Sequence, residues 1–298
     1  MDGVRAPDAA RPGLGLTMAA PRLAIVIVTF NSRADIDACL ASLALHRPEV
    51  THEILVVDNA SKDGTAAFVR ERWPDVRVLD AGGNLGFARA NNIGIRRTTG
   101  ELVLLLNPDT RVTPRAIDTL VAHLDAHAEA AAAGPRLLDA EGRAELSFGA
   151  MIGPWAELQQ KVLTAGHARG LRGISALVER MTRRPNGVDW VSGACLLVRR
   201  ADAEAVGLLD ERFFMYTEDV DFCASLRARG RTVRFTPEAV VTHLRGRSAA
   251  TARSATDLAY RRSQLAFYAK HHPGWLPLLR IYLQMRGRLP DASPAAPI

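Results

Sequence analysis

Short apolar runs alternate with longer amphipathic stretches along the first half of the chain. Three of these runs are LAIVIVT (Leu23–Thr29), EILVVD (Glu53–Asp58) and ELVLLL (Glu101–Leu106). Such short, nearly unbroken apolar runs are typical of strands buried on both faces of a sheet. VRVLD, residues 76–80, predicts a weaker strand. Strands that alternate with helical segments predict an α/β fold with a mostly parallel central sheet flanked by helices.

The segments between the runs have the residue spacing of helices. Ser32 is predicted to cap a helix that runs to about Leu45. The apolar positions of this helix share one face, at Ile36, Cys39, Leu40 and Leu43. Further helices are predicted before Trp73 and over about 87–97. Pro114 predicts the start of another helix, because proline is favoured in a first turn.

Beyond about Gly149 the apolar pattern is less regular. The segment from Trp155 to Arg184 is predicted to be helical and basic, and DWVSGACLLVRR (Asp189–Arg200) resumes as a strand-like run. The stretch after it predicts a helix with apolar side chains on one face, at Val220, Cys223 and Leu226. The sequence shows no internal repeat.

Polar clusters follow three of the predicted strands. They are TFN (29–31), DNAS (58–61) and NPD (107–109). Pro108 prevents an ordinary paired strand, so Asp109 is expected on a bend at the strand's exit, where it either caps a helix or binds a ligand. Asp58 has a similar alternative, because aspartate often satisfies a turn. Ligands of parallel sheets collect beyond the carboxyl ends of the strands, so three clusters on one edge predict a pocket.

Three carboxylates crowd into four positions of TEDVDFC, at Glu218, Asp219 and Asp221. They begin a predicted helix, where acidic residues are favourable without any catalytic role. The apolar, mostly aromatic residues at 213–216 indicate a partly apolar setting, which raises carboxylate pKa values and favours base chemistry. Neighbouring helical positions diverge by about 100°, so Asp221 is expected to point away from Asp219.

Two further signals are weaker. A lone histidine such as His243 is more often structural than a ligand, but with Asp109 it could hold a divalent ion against phosphate. The glycines of GGNLGFARANNIG, residues 82–94, permit a tight loop before a helix whose amides could face a phosphate. Because the segment lacks GxGxxG and the Walker lysine, it is not a dinucleotide fingerprint.

Composition and charge limit the classes of binding partner that this chain is expected to have. The 298-residue chain carries a formal net charge of +6, which suits phosphates or an anionic membrane surface. No basic run is interleaved with aromatic residues, so nucleic acid is not an expected partner. The three widely spaced cysteines form neither a zinc motif nor a disulfide framework, which favours a reducing, cytoplasmic compartment.

Taken together and in order, the motifs resemble those of inverting glycosyltransferases of family 2, and most closely the rhamnosyltransferase-like branch. The resemblance covers roughly Leu23 to Ser248 and rests on TFN, VVDNASKDGT, GNLGFARANNIG, LLLNPD, SGACLLVRR, FFMYTEDVDFC and THLRGRS. It implies a GT-A fold, a nucleotide-diphosphate sugar donor, and Mg²⁺ or Mn²⁺ as cofactor. The branch suggests dTDP-rhamnose as donor and a glycan or lipid-linked acceptor in cell-envelope polysaccharide synthesis.

The resemblance also assigns roles to residues. Asp219 matches the catalytic base, with Glu218 beside it, and Asp109 and His243 match metal ligands. The positions that match the nucleotide-sugar site are Thr29, Asn31, Asp58, Asn84, Asn92, Asn107 and Asp109. Many relatives have aspartate where this chain has Asn107. The NPD form is common in the rhamnosyltransferase-like branch, so activity is expected to be retained.

The predicted organisation has three parts: a disordered leader at 1–21, a GT-A domain at 22–250 and a helical extension at 251–298. In the domain, 22–140 is predicted to bind the nucleotide-sugar and 141–250 to carry the acceptor site and the catalytic residues. WLPLLRIYLQMRGRL, Trp275–Leu289, is too short to span a membrane. It predicts either an interfacial helix on the inner face of the membrane or a helix packed on the domain.

Two other functions remain open. A nucleotidyltransferase of the same broad fold would be expected to carry a glycine-rich, basic signature after the first strand, where this chain has TFNSRAD. A non-catalytic sugar- or lipid-binding module would be expected to lack the metal carboxylate or the base, whereas Asp109 and Asp219 are both present. The oligomeric state is not predicted.

Overall fold

A mixed sheet forms the centre of the structure, a computed structural model that describes residues 20–244 and 253–290. Within these residues the sheet has nine strands, in the order β3-β2-β1-β4-β10-β6-β11-β5, and β8 also pairs with β11. The strands are β1 Leu23–Thr29, β2 His52–Asp58, β3 Arg77–Asp80, β4 Leu102–Leu106, β5 Thr110–Val112, β6 Ala130–Leu138, β8 Asn186–Val188, β10 Cys195–Arg199 and β11 Thr232–His243. A separate two-stranded sheet pairs β7 Phe148–Gly149 with β9 Trp190–Val191. Six strands of the large sheet run in one direction, so the predicted mostly parallel sheet is confirmed.

Strand β1 shows why the apolar runs form this sheet. It lies between β2 and β4, parallel to both, and every one of its residues is buried. Successive side chains point to opposite faces of a strand. Val26 and Val28 therefore join the core on one face, and Ile25 and Ile27 join the core on the other. A strand covered on both faces needs apolar residues at consecutive positions.

Helices cover both faces of the sheet. They are α1 Ile36–Leu45, α2 Thr65–Arg72, α3 Phe87–Arg96, α4 Ala116–Asp125, α5 Pro154–Ala168, α6 Arg172–Met181, α7 Arg200–Ala205, α8 Glu218–Ala228, α9 Arg253–His271 and α10 Leu276–Met285, with a 3₁₀ turn at Pro273–Trp275. Buried residues of α1 and α4 belong to one core, and those of α3, α8 and α9 to the other. The predicted inner face of α1 is confirmed, since its buried residues are Ile36, Cys39, Leu40 and Leu43.

Two predicted helix starts are wrong. The Ser32 side chain contacts Phe30 instead of capping α1, while its carbonyl accepts hydrogen bonds from the amides of Asp35 and Ile36. The helix therefore begins four residues later than the predicted cap. Pro114 does not begin α4, because Arg115 has a left-handed backbone with φ 59° and the helix starts at Ala116.

The C-terminal helices pack on the domain. In α9 the Ser263 hydroxyl donates to the Met215 carbonyl at 2.7 Å, which connects α9 to the segment just before α8. Nearly all of the predicted leader at 1–21 lies outside the described residues, and so does the predicted boundary at 250. The domain division therefore stays a prediction. No helix in the described ranges is long and apolar enough to cross a membrane.

Candidate active site

Two of the predicted nucleotide-sugar residues meet at the ends of β1 and β2. Thr29 and Asp58 are register partners, both buried, and the Thr29 hydroxyl donates to Asp58 Oδ1 at 3.0 Å. Asp58 Oδ2 accepts the amide of Ser61 at 3.1 Å, so it also satisfies the turn that follows β2. Asn31 Oδ1 accepts the amide of Lys62 at 2.8 Å. These contacts fix the two strand-end loops side by side, as their parallel pairing predicted.

The glycine-containing segment, residues 82–94, lies beside the ends of these strands. Asn84 accepts a hydrogen bond at 3.0 Å from Asn59, and Asn59 in turn accepts the amide of Leu85 at 2.8 Å. Gly86 has φ +83°, and a Cβ at this position would clash with the Phe214 carbonyl. Only glycine therefore allows this close approach. Asn59 belongs to the DNAS cluster, but its contacts with this segment were not predicted, because an asparagine in a turn gives no signal of its partners.

The side chain of Asn92 makes its hydrogen bonds within the protein interior. It is fully buried in α3, its Nδ2 donates to the Leu209 carbonyl at 2.8 Å, and its Oδ1 accepts the Leu209 amide at 3.0 Å. The same Nδ2 contacts Glu211 at 3.1 Å. Its side chain connects α3 to the segment that follows α7, and a role for Asn92 in donor binding stays a prediction.

Asp109 and His243 come together because β5 pairs with β11. His243 is the register partner of Thr110, and its Nε2 lies 3.3 Å from Asp109 Oδ1. Its Nδ1 lies 3.3 Å from Glu145 Oε2. Burial opposes the charged imidazole, but the hydrogen bonds and charges of Asp109 and Glu145 outweigh it and raise the pKa of His243 to about 9.

The sequence analysis did not predict Glu145 as a site residue. It follows β6, and its side chain is only 9% exposed. An isolated glutamate in a loop gives no signal, and 98 residues separate it from His243. Its contact with the histidine depends on the long-range folding of β6 against β11.

The Asp109–His243 pair fits a divalent ion. Two neighbouring ligands of an octahedral ion lie about 3 Å apart when each is about 2.1 Å from the ion. The observed 3.3 Å matches that spacing. Glu145 on the other ring nitrogen is the carboxylate partner that a metal-binding histidine usually has. No group of three or more His, Cys, Asp or Glu in the described ranges is arranged to hold a metal. An ion here would therefore also need ligands from a substrate.

Asn107 supports the bend before Asp109. Its carbonyl accepts the Thr110 hydroxyl at 2.7 Å, and its amide donates to the Ala194 carbonyl at 2.9 Å. Its side-chain Oδ1 is buried and has no hydrogen-bond partner among the described residues. A buried acceptor of this kind is suited to receive a donor group from a ligand.

Asp219 and Glu218 stand at the start of α8. Asp219 accepts the amides of Gly193 and Val220, each at 2.8 Å. Burial raises the pKa of Asp219, and these amides only partly offset it. Burial, and then the charge of Asp219, raise the pKa of Glu218 well above its usual range. Asp219 is held by one N–H on each oxygen, which fixes its orientation.

Asp221 points elsewhere, as its helical position predicted. It is 1% exposed and contacts Lys270 Nζ at 2.8 Å and His271 Nε2 at 2.6 Å, both on α9. The third carboxylate of the cluster therefore attaches the C-terminal helices to the domain.

The proposed base and the metal-binding histidine face the same cavity, which has a volume of about 620 Å³. Asp219, His243 and Glu145 all line it, and helix α5 forms part of its wall. Asp109 does not line the cavity, but it contacts His243, which does, so the base and the metal-binding pair can act on the same substrate. The cavity wall does not include Thr29 or Asp58.

Comparison with known sequences gives a consistent assignment. Residues 24–206 match the family model described as Glycosyl transferase family 2. The N-acetylglucosaminyl-diphospho-decaprenol L-rhamnosyltransferase of Mycobacterium tuberculosis is 33% identical over 265 residues, which cover 85% of this chain and 86% of that protein. A low-salt glycan biosynthesis hexosyltransferase of Haloferax volcanii is 28% identical over 69% of this chain and 61% of its own.

Solved structures share the fold. A mannosyltransferase from Pyrobaculum calidifontis, in complex with GDP-Man and Mn²⁺, superposes with a TM-score of 0.56 at 18% identity, covering 88% of this chain and 69% of its own. GalNAc-T7 with UDP, GalNAc and Mn²⁺ gives a TM-score of 0.61 at 15% identity, covering 93% of this chain and 52% of its own. Both are GT-A glycosyltransferases, which confirms the predicted fold class.

Proposed function

The chain belongs to glycosyl transferase family 2, and we propose that it transfers a sugar, with inversion, from a nucleotide-diphosphate donor to a hydroxyl of a lipid-linked or glycan acceptor. The observation that carries this proposal is the shared cavity of Asp219 and His243, with Asp109 in contact with the histidine. Family membership favours this reading over a nucleotidyltransferase or a non-catalytic module.

Asp219 is proposed as the general base. The acceptor oxygen attacks the anomeric carbon of the donor while the bond from that carbon to the diphosphate oxygen breaks. The hydroxyl proton passes to Asp219, and attack opposite the leaving diphosphate inverts the configuration. A raised pKa makes this carboxylate a stronger base than an exposed aspartate. Backbone amides on both of its oxygens keep it oriented during the step.

Asp109 and His243 are proposed to hold Mg²⁺ or Mn²⁺ together with the donor's diphosphate. A bound divalent ion supplies Lewis-acid stabilisation of charge on the departing nucleotide. To bind it, His243 must lose the proton that its two neighbouring carboxylates stabilise. Glu145 then keeps the ring oriented through Nδ1.

The donor rim is proposed at the ends of β1, β2 and β4. Thr29, Asn31 and Asp58 would contact the nucleotide, with Asn84 and Asn92 in the flanking segment. The buried Oδ1 of Asn107 would accept a hydrogen bond from the donor. The assignments of Thr29, Asn31 and Asp58 rest on the family pattern and on the strand-end geometry. Those of Asn84 and Asn92 rest on the family pattern alone.

The donor and acceptor are proposed from the most informative relative. This relative, the Mycobacterium tuberculosis enzyme, is named for rhamnosyl transfer to N-acetylglucosaminyl-diphospho-decaprenol. We therefore infer dTDP-rhamnose as donor and a diphosphate-linked lipid as acceptor. The enzyme must reach a lipid-linked acceptor at the membrane surface, so we also infer peripheral contact with the inner face of the membrane.

A donor panel tests this function. Nucleotide-sugars with Mn²⁺ are compared by thermal unfolding, and a true donor at a hundred times its Kd should stabilise the protein by about 2.7 kcal/mol. The stabilising donor is then incubated with a short-chain N-acetylglucosaminyl diphosphate lipid, and NMR reads the anomeric configuration of the product. Stabilisation by no nucleotide-sugar, or a product that retains configuration, would contradict the proposal.

A further inference from the structure

Helix α5 exposes an apolar face on the side away from the cavity. Trp155, Leu158 and Val162 lie on one face by their i, i+3, i+7 spacing, and each is more than half exposed. Trp155 is 78% exposed. An exposed tryptophan within an apolar stripe is unusual for a helix whose packing is already satisfied on its other side.

Helix α10 has a second apolar face after its packing is complete. Leu276, Leu279 and Leu283 turn inward, and Leu283 is fully buried. Outward-facing apolar side chains are Leu278, Ile281, Tyr282 and Met285, all more than half exposed. Packing on the domain therefore explains only one face of this helix.

The two helices begin close to one another. His272 Nε2 contacts the Ile152 carbonyl at 2.7 Å, so the start of α10 lies beside the start of α5. Trp275, 47% exposed, stands at this junction. The exposed apolar side chains of the two helices and of the 3₁₀ turn that precedes α10 are Trp155, Leu158, Val162, Trp275, Leu278, Ile281, Tyr282 and Met285.

The charges and aromatic residues around these apolar side chains indicate what binds them. From 275 to 290 every charged residue is an arginine, and Arg280, Arg286 and Arg288 are all exposed. Apolar faces with arginines at their margin bind anionic lipid, and tryptophan and tyrosine favour the interface between lipid and water. A protein partner would not require that combination.

The cavity places the surface where a lipid is needed. The opposite side of α5 carries Gln160, Thr164 and His167, which line the cavity together with Asp219. We propose that the apolar surface formed by α5 and α10 docks the protein on an anionic bilayer. An acceptor whose head group occupies the cavity can then keep its lipid tail in the membrane. This inference rests on the proposed function for its acceptor class.

Vesicle flotation of the full chain tests the surface, with phosphatidylcholine vesicles that contain or lack phosphatidylglycerol. Two double variants are compared, Trp155→Ser with Leu158→Gln on α5, and Ile281→Gln with Met285→Gln on α10. Leu45→Gln is the control, because Leu45 is 76% exposed but ends α1, which packs on the other face of the sheet. Circular dichroism checks folding, and light scattering gives the oligomeric state.

The expected result is flotation that requires the anionic lipid. Each double variant should bind at least about tenfold more weakly, and Leu45→Gln should bind as the unmodified chain does. Flotation unchanged in either double variant overturns the two-helix surface. A dimer that the substitutions dissociate, with no vesicle binding, assigns the surface to a second copy and overturns it as well.

A separate measurement distinguishes this inference from the proposed function. Both double variants should transfer sugar normally to a water-soluble, short-chain acceptor, because none of the four residues lines the cavity. In the unmodified chain, normal transfer without vesicle binding refutes the surface alone. Vesicle binding without transfer from any donor refutes the proposed function alone.

Discussion

The donor rim and the cavity wall are built in different ways. On the rim, Thr29 and Asp58 are register partners on neighbouring parallel strands, and their contact follows directly from strand pairing. On the wall, Glu145 reaches His243 across 98 residues, and Gly193 positions Asp219 from another segment. The rim is a consequence of local strand–turn patterns, whereas the wall depends on the complete fold.

This difference predicts different responses to substitution. Changes on the rim should alter donor affinity, because the rim residues are proposed to contact the nucleotide. Changes on the wall should alter turnover or metal affinity, because the wall carries the base and His243. Asp109 lies between them, on the bend after β4 and in contact with wall residue His243.

The largest effect is expected for Asp219→Asn. Removal of a general base costs about 10²- to 10⁴-fold in turnover. Donor affinity should be retained, because Asp219 lies on the wall. In the unmodified enzyme, the raised pKa of Asp219 should place the acidic limb of the pH–rate profile above that of an exposed aspartate, since activity falls as the base becomes protonated. Turnover and donor affinity are measured together, and normal turnover in this variant would show that Asp219 is not the base.

Asp109→Asn should rank next. The substitution keeps the shape of the side chain but removes a negative charge from the proposed ion, and metal stabilisation of the leaving group is worth several kcal/mol, or about 10²-fold. Donor affinity and turnover should both fall. Calorimetry of nucleoside diphosphate with and without Mn²⁺ reports the loss, with the exposed Asp75→Asn as control. Metal-dependent affinity unchanged from the unmodified chain would remove Asp109 from the site.

Glu145→Gln tests the wall residue that sequence patterns missed. Loss of the carboxylate should leave the His243 ring without its orienting partner and weaken Mn²⁺ affinity by about 10- to 100-fold, an effect larger than the gain from easier loss of the ring proton. The pKa of His243 should fall, which NMR titration of its ring protons can follow. Glu141→Gln is the control, since Glu141 is an exposed residue of the same loop after β6 and pairs with Arg143. Equal Mn²⁺ affinity in the two variants would make Glu145 merely structural.

The sequence predicted the strand-end contacts of the rim better than the contacts among the wall residues. The buried strands, the strand-end clusters and the inner face of α1 follow from periodicity, which is a local property. Glu145, Gly193 and the contacts of Asn92 depend on segments brought together only by the sheet. Helix starts at Ser32 and Pro114 were predicted wrongly, because side-chain contacts and a left-handed residue override the usual capping preferences.

The smallest effect on chemistry is expected for Asp221→Asn, two residues from the base. Its carboxylate pairs with Lys270 and His271, so the substitution should lower the free energy of unfolding. Breaking a buried pair costs about 3–5 kcal/mol, and the lower end applies because both cations are partly exposed and Lys270 keeps Asp210. Once the variant is folded, turnover with a soluble acceptor should stay near that of the unmodified enzyme.

Denaturant unfolding beside turnover separates these roles. Asp210→Asn is the control, because it removes the more exposed partner of the same lysine and should cost less stability. If Asp221→Asn lost turnover as severely as Asp219→Asn while remaining folded, the division of the acidic cluster into a base and an anchor for α9 would be wrong. Retained turnover with lowered stability would show that Asp221 anchors α9 and takes no part in the chemistry.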